Sequence, residues 1–204
     1  MPMGYKVRKA TLPLLPKGAK PITVLHFSDL HLTPNKKREI KQIKSFINLA
    51  PDLVISTGDF LAHPDAVGPV LNALDDLLDL PGLFVFGSND YYAPKFKNPF
   101  SYLRKDHGNI KLGKKLPTTK LRNGLTKRGW LDLNHNKVKI KVNGNLIEAR
   151  GTDDAHLELD NYPLVAGRVS AKCDLSIGVT HAPYERVIAA MAQDELDLIF
   201  AGHT

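Results

Sequence analysis

Ile22-Thr23-Val24-Leu25-His26-Phe27-Ser28-Asp29-Leu30-His31 sets an apolar, β-branched run directly against a polar end. The run Ile22 to Phe27 predicts a buried strand, and the residues after it do not suit a core. The pattern repeats down the chain. Lys36 to Leu49 places Ile40, Ile43, Phe46 and Ile47 on one stripe with Lys on the other, which predicts an amphipathic helix stopped by Pro51. Leu53 to Ser56 predicts a second strand. Ala66 to Leu80 predicts a helix with Val67, Val70, Leu71, Leu74, Leu77 and Leu78 inward, ended by Pro81-Gly82. Leu83 to Phe86 predicts a third strand. Strand and helix in alternation imply parallel pairing with helices on the sheet faces.

Farther along, the period changes. Val138, Ile140 and Val142 alternate with Lys137, Lys139 and Lys141, and Asn143-Gly144 precedes Leu146 to Ala149. This predicts a hairpin with one wet face. Leu175 to Val179 predicts a strand, Tyr184 to Gln193 a helix and Leu196 to Phe200 a strand. An α/β sandwich with parallel and antiparallel parts fits this order better than one doubly wound sheet.

The strand ends carry the chemistry. They read Ser28-Asp29-Leu30-His31, Thr57-Gly58-Asp59, Gly87-Ser88-Asn89-Asp90, Thr180-His181 and Gly202-His203. In parallel α/β sheets the carboxyl ends of the strands form one ligand-binding edge, so these residues are expected to converge there. Carboxylates, an amide oxygen and imidazoles without a thiolate suit Mn, Fe or Zn. Asp29 and His31, two apart on an extended strand end, would point to one side. An aspartate between two sites can bridge two ions about 3.5 to 4 Å apart, which suits in-line phosphoryl displacement. Singly, each piece has a bland reading: Asp-x-His as a strand end, Gly-Asp as a turn, Thr-His as structural. The weight lies in five blocks in order, each at a strand end.

Composition bounds the rest. The 204 residues, 43% apolar and 24% charged, can bury a substantial core. A single cysteine, Cys173, excludes a disulfide scaffold and a Cys-based metal site. No apolar stretch reaches the roughly 18 to 20 residues that span a bilayer. Met1 to Lys20 has no signal-type apolar run, so a cytoplasmic protein is expected. The net charge of +7 is uneven. Residues 95–141 hold 14 Lys and Arg against Asp106 and Asp132, a local +12, whereas residues 51–94 hold seven acids and no Lys or Arg. That basic segment reads as an excursion from the main fold. It is either a solvated loop region or an anion-facing lip for phosphate, nucleic acid or an anionic membrane surface. Phe96, Phe100, Tyr102 and Trp130 would offer stacking there. Nothing calls for an obligate protein partner.

Together the five blocks, with Thr180-His181-Ala182-Pro183 and Gly202-His203-Thr204 at the end, resemble the calcineurin-like metallophosphoesterase superfamily. The likeness runs from Ile22 to Thr204, leaving residues 1–21 as an N-terminal extension. It is strongest to bacterial, actinobacterial-type members with a Gly-Ser-Asn-Asp third block. It implies a four-layer α/β/β/α sandwich of two mixed β-sheets and a hydrolase of phosphate mono- or diesters. In such an enzyme a hydroxide on two divalent ions attacks phosphorus in line. By this resemblance Asp29 and His31 hold the first ion, Asp59 bridges, and Asn89, His181 and His203 hold the second.

Two departures stand out. The usual third block is Gly-Asn-His. Here either Asn89 is the ligand with Asp90 in the place of the leaving-group histidine, or Ser88 replaces the ligand and Asn89 the histidine. The amide oxygen of Asn89 is the better ligand. His63, His107 or His156 are other sources of the leaving-group acid, each with a surface or structural reading beside it. The last block of the family is Gly-His-Thr-His, and this chain stops at Thr204, so a C-terminally incomplete domain is expected. Gly151-Thr152-Asp153-Asp154 resembles a loop near the site in relatives and reads equally as an acid-capped turn. The altered third block leaves a second function open, a catalytically impaired scaffold of the same fold.

Overall fold

The computed structural model describes residues 4–94 and 112–203. Phe96, Phe100, Tyr102, His107, Thr204 and the cations Lys95 to Lys111 of the basic segment lie outside the described residues. The strands form two four-stranded sheets. The first holds β1 (Val24–Phe27), β2 (Leu53–Ser56), β3 (Gly82–Phe84) and β4 (Leu131–Asp132), in that order and parallel throughout. The second holds β5 (Lys137–Val142), β6 (Asn145–Gly151), β7 (Leu175–Thr180) and β8 (Leu198–Ala201), with β5–β6 antiparallel and the other pairs parallel. The β5–β6 hairpin closes on Asn143-Gly144. Both sit at positive φ (51° and 90°), as a type I′ turn requires.

Alternation along the strands builds the layers. Leu53 and Ile55 of β2 face the second sheet, packing with Leu83, Val85, Ile147, Ala149, Ile177 and Val179. Val54 points the other way, with Phe27, Phe84 and Phe86, into a cluster roofed by helices. Two of those helices, α1 (Lys37–Lys44) and α2 (Val67–Leu74), contribute Ile43, Val70 and Leu74. The single turn α3 (Ser88–Tyr91) carries the third strand-end block. Beyond it α4 (Thr118–Lys127) completes the roof with Leu121 and Leu125. A third cluster, with Tyr162, Val187 and Met191, seats α5 (Glu185–Gln193) on the outer face of the second sheet. Three apolar interfaces separate four layers, helix, sheet, sheet and helix, and each fully buried Leu or Ile in them contributes about 1.5 to 3 kcal/mol.

The strands and helices fall where their periods predict, with ends moved by a few residues: β6 and β7 run longer than expected, and the first two helices end sooner. The helix expected to Leu49 is α-helical to Lys44 and continues as a 3-10 turn, Ser45–Leu49. The one over Ala66 to Leu80 ends at Leu74, followed by a 3-10 turn at Leu77–Asp79.

The described part of the basic segment corrects the expected excursion. Thr118–Lys127 is a core helix, Leu131–Asp132 adds a strand to the first sheet, and β5 begins at Lys137. Trp130, expected as a stacking surface, is buried in the first core. Charge hid these elements: Lys120 and Lys127 of α4 are exposed, Arg122 reaches Asp132 of β4, and only Thr118, Leu121 and Leu125 are buried.

Candidate metal centre

The loop after β1 is zipped to the loop after β2. Asp29 N–H donates to the Gly58 carbonyl at 3.0 Å, His31 N–H to Asp59 at 2.9 Å and Leu32 N–H to Phe60 at 2.8 Å. Likewise Gly202 N–H donates to the His181 carbonyl at 2.7 Å, joining the ends of β7 and β8. These bonds force tight reversals. Asp29 (φ 57°), His31 (43°), Asp59 (57°) and His203 (57°) all adopt the left-handed conformation, four of the nine non-glycine residues that do so among the described residues. Asp and His tolerate that region better than most side chains, and such strain concentrates at functional sites.

Side chains converge as a result. One ligand atom each from Asp29, Asp59, His181 and His203 lies within 4.8 Å of the others. His31 flanks them, its Nε2 3.7 Å from Asp29 Oδ1 and 3.6 Å from Asp59 Oδ2. On the other side of Asp59, His181 Nε2 lies 3.5 Å from the same Oδ2. Asn89 also meets Asp59: its backbone N–H donates to Oδ1 at 2.8 Å and its side-chain amide to Oδ2 at 2.7 Å. The structure thus brings together Asp29, His31, Asp59, Asn89, His181 and His203.

Asp90 is elsewhere. It is fully buried, and its carboxylate accepts four backbone N–H groups: Asp59 (2.8 Å) and Gly87 (3.0 Å) on Oδ2, Phe60 (2.8 Å) and Leu61 (3.1 Å) on Oδ1. Both oxygens point into the Asp59 and Gly87 loops. The expectation that Asp90 stands in for the leaving-group histidine gives way to a different role, latching the second strand-end loop to the third. Sequence reading missed this because a partner thirty residues away leaves no local mark.

Do these residues fit a metal? His181 answers most directly. Its Nδ1 lies 2.6 Å from the Thr57 carbonyl, which can only accept, so Nδ1 carries a proton and Nε2 is the nitrogen left to give its lone pair to an ion. That Nε2 is buried with no hydrogen-bond partner, facing the carboxylates. Gly87 makes the room: a Cβ there would fall 2.6 Å from His181 Nε2 and closer still to Asp59 Oδ1. Oxygen and imidazole donors around an open point suit a divalent ion of the Mn, Fe or Zn kind.

The electrostatics agree. Burial alone would push Asp29 up, but the His31 imidazole 3.7 Å away and the hydrogen bond from the His203 backbone N–H (3.1 Å) hold it well below the usual carboxylate range. Burial opposes ionisation of Asp59 too, and His181 outweighs it, so Asp59 is also lowered. Burial would lower His181, but the Asp59 carboxylate, 3.5 Å from Nε2, raises it to about 9, so with no ion present Nε2 also holds a proton. Burial and the Asp59 charge push Asp90 up to about 7, against the backbone N–H groups that favour its ionised form. A cluster of paired anionic carboxylates beside a protonated imidazole is one a cation can enter by displacing the proton.

The profile of the calcineurin-like phosphoesterases matches residues 22–204. The chain belongs to the calcineurin-like phosphoesterase family. It is 28% identical to the uncharacterized protein YpbG of Bacillus subtilis (strain 168) over 208 aligned positions, covering 98% of this chain and 68% of that one. Its fold is similar to the crystal structure of TT1561 of Thermus thermophilus, with a TM-score of 0.52 and 12% identity over 89% of this chain and 81% of that one. The family fits both the two-sheet sandwich and the Asp/His cluster at the carboxyl ends of its strands. Among the described residues no helix is long and apolar enough to cross a membrane.

Around this family site lies a ring of supporting contacts. Tyr91 Oη donates to both oxygens of Asp153 at 2.8 Å, tying the third strand-end block to the Gly151–Asp154 loop. Asp154, next to it, is buried and caps Leu157 N–H at 2.9 Å. The loop is both an acid-capped turn and a neighbour of the site. His63, by contrast, only caps Asp65 N–H at 3.1 Å on the surface.

Proposed function

We propose that this chain is a metal-dependent phosphoester hydrolase that uses two divalent ions. The observation that carries the reading is the position of Asp59, whose Oδ2 meets two imidazoles, 3.6 Å from His31 and 3.5 Å from His181. A carboxylate so placed can serve two ion sites at once. Asp29 and His31 would complete one, and Asn89, His181 and His203 the other. Mn, Fe and Zn all suit the donor set. When bound, the two ions would activate water as the nucleophile and neutralise the phosphoryl oxygens of a mono- or diester. The chain's own residues prepare that. Thr57 fixes the tautomer of His181, Asp90 fixes the backbone that turns Asp59 inward, and Gly87 keeps the space between them open.

The test is hydrolysis of an activated phosphodiester and monoester by Mn-loaded protein, with Asp59→Asn beside it. Turnover by the unsubstituted protein and none by the variant supports the reading; equal turnover overturns it. A scaffold of the same fold without turnover has one observation in its favour: Asp90 is latched into the loops, and no histidine occupies the third block. Absence of any metal uptake in calorimetric titration would favour that second reading. For the basic segment, affinity for nucleic acid or anionic vesicles that falls steeply with added salt is the expected mark of an anion-facing lip.

A further inference from the structure

His156 belongs to the loop after β6 and stands beside the site without joining its ligand cluster. Its ring centroid lies 5.1 Å from that of His203, with the planes tilted by 36°. It is held there by a chain of contacts. Tyr184, the residue before α5, places its hydroxyl 3.1 Å from His156 Nδ1. Arg186 stacks over the Tyr184 ring, 4.9 Å from its centroid. The same guanidinium donates to the Ala155 carbonyl at 2.9 Å and grips Asp160 at 2.6 and 2.9 Å. One arginine therefore fixes both the loop that carries His156 and the tyrosine that orients it.

We infer that His156 is a substrate-contacting residue, donating its Nε2–H to a phosphoryl oxygen of the ester, with Tyr184 as its positioning residue. When the Tyr184 hydroxyl donates to Nδ1, the ring proton is on Nε2, the nitrogen turned away from Tyr184. A donor beside His203 would reach the phosphoryl group of a substrate held at the Asp/His cluster. It also supplies an imidazole to a site whose third block has none. This rests on the phosphoesterase reading above and names a contact within it.

The test uses Mn-loaded protein, inorganic phosphate as the probe and calorimetry as the readout, with manganese content and melting temperature measured alongside. His156→Ala is expected to weaken phosphate binding by about tenfold or more, as loss of a hydrogen bond to a charged group does, with manganese content unchanged. His156→Gln, whose amide N–H reaches a similar point, recovers part of the loss. Tyr184→Phe gives a smaller loss, because the ring is left unoriented but present. Wild-type phosphate affinity in His156→Ala overturns the inference, and so does loss of manganese, which would make His156 a metal ligand instead. If the unsubstituted protein takes up neither manganese nor phosphate, the phosphoesterase reading fails first and this contact falls with it. Phosphate bound normally by the unsubstituted protein and equally by the variant sinks the His156 contact alone.

Discussion

The carboxylate of Asp90 holds the backbone of Asp59: Asp90 Oδ2 accepts the Asp59 N–H at 2.8 Å while Oδ1 accepts those of Phe60 and Leu61. One buried anion thereby fixes the left-handed turn that aims another at the metal site. Asp90→Asn replaces one acceptor oxygen with an N–H donor facing backbone donors. A loss of about 3 kcal/mol or more is expected, read as a lowered midpoint in urea unfolding. An unshifted midpoint with reduced turnover would restore Asp90 as an acid acting on the leaving group.

Gly87 offers the cleanest way to damage the site without removing a ligand. The added methyl of Gly87→Ala would fall 2.6 Å from His181 Nε2 and press on Asp59. Manganese affinity is expected to fall on the order of tenfold or more, as when the supports of a metal ligand are disturbed. Titration followed by metal analysis checks this. Full stoichiometry at unchanged affinity would show that the cluster is not where the ion sits.

Acid stability should report on the second sheet. Glu148 is buried beside Arg150, whose guanidinium donates to it and, at 2.8 Å, to Asp194. Burial would raise the Glu148 pKa, but the Arg150 hydrogen bond overrides this and holds it below its ordinary 4.5. The folded state therefore binds fewer protons than the unfolded chain as pH falls. The stabilisation is present above about 4.5 and lost as pH drops through the lower folded value. Glu148→Gln should cost about 3 kcal/mol at neutral pH, since Arg150 then keeps Asp194 as its carboxylate partner beside the Gly167 carbonyl, and should flatten the acid limb of the stability curve. Parallel curves for the two proteins would refute the linkage.

Trp130 is the sole tryptophan, so its emission reports one place. It is buried against Gly82, where a Cβ would collide with the indole, and its ring lies 6.4 Å from Phe27. Native emission should be blue-shifted and should red-shift together with loss of helical circular dichroism. Trp130→Ala should cost about 3 to 5 kcal/mol. Emission typical of exposed indole in the native protein would contradict the packing of α4 and β4 into the first sheet.

How much of this was legible in advance depends on range. Hydrophobic period and strand-end polarity mark β1, β2, the β5–β6 hairpin, β7 and α5, because a strand or helix writes its burial into neighbouring residues. The ligand candidates were legible for the same reason, as polar residues placed where apolar runs stop. The strand β4 and the helix α4 were not. Lys120 and Lys127 of α4 are exposed, β4 is two residues long, and the apolar residues of the two are too few to outweigh a local charge of +12.

By itself, then, the sequence determined the layers and the edge at which Asp29, His31, Asp59, Asn89, His181 and His203 gather, because alternation and chain order force those outcomes. Only the tertiary structure decided what each polar group does there. Asp90 latches loops rather than facing substrate, Thr57 sets the tautomer of His181, and Tyr184 orients His156. Those roles depend on hydrogen bonds between residues 28 to 124 positions apart, and a bond between distant segments exists only once the sheets have packed.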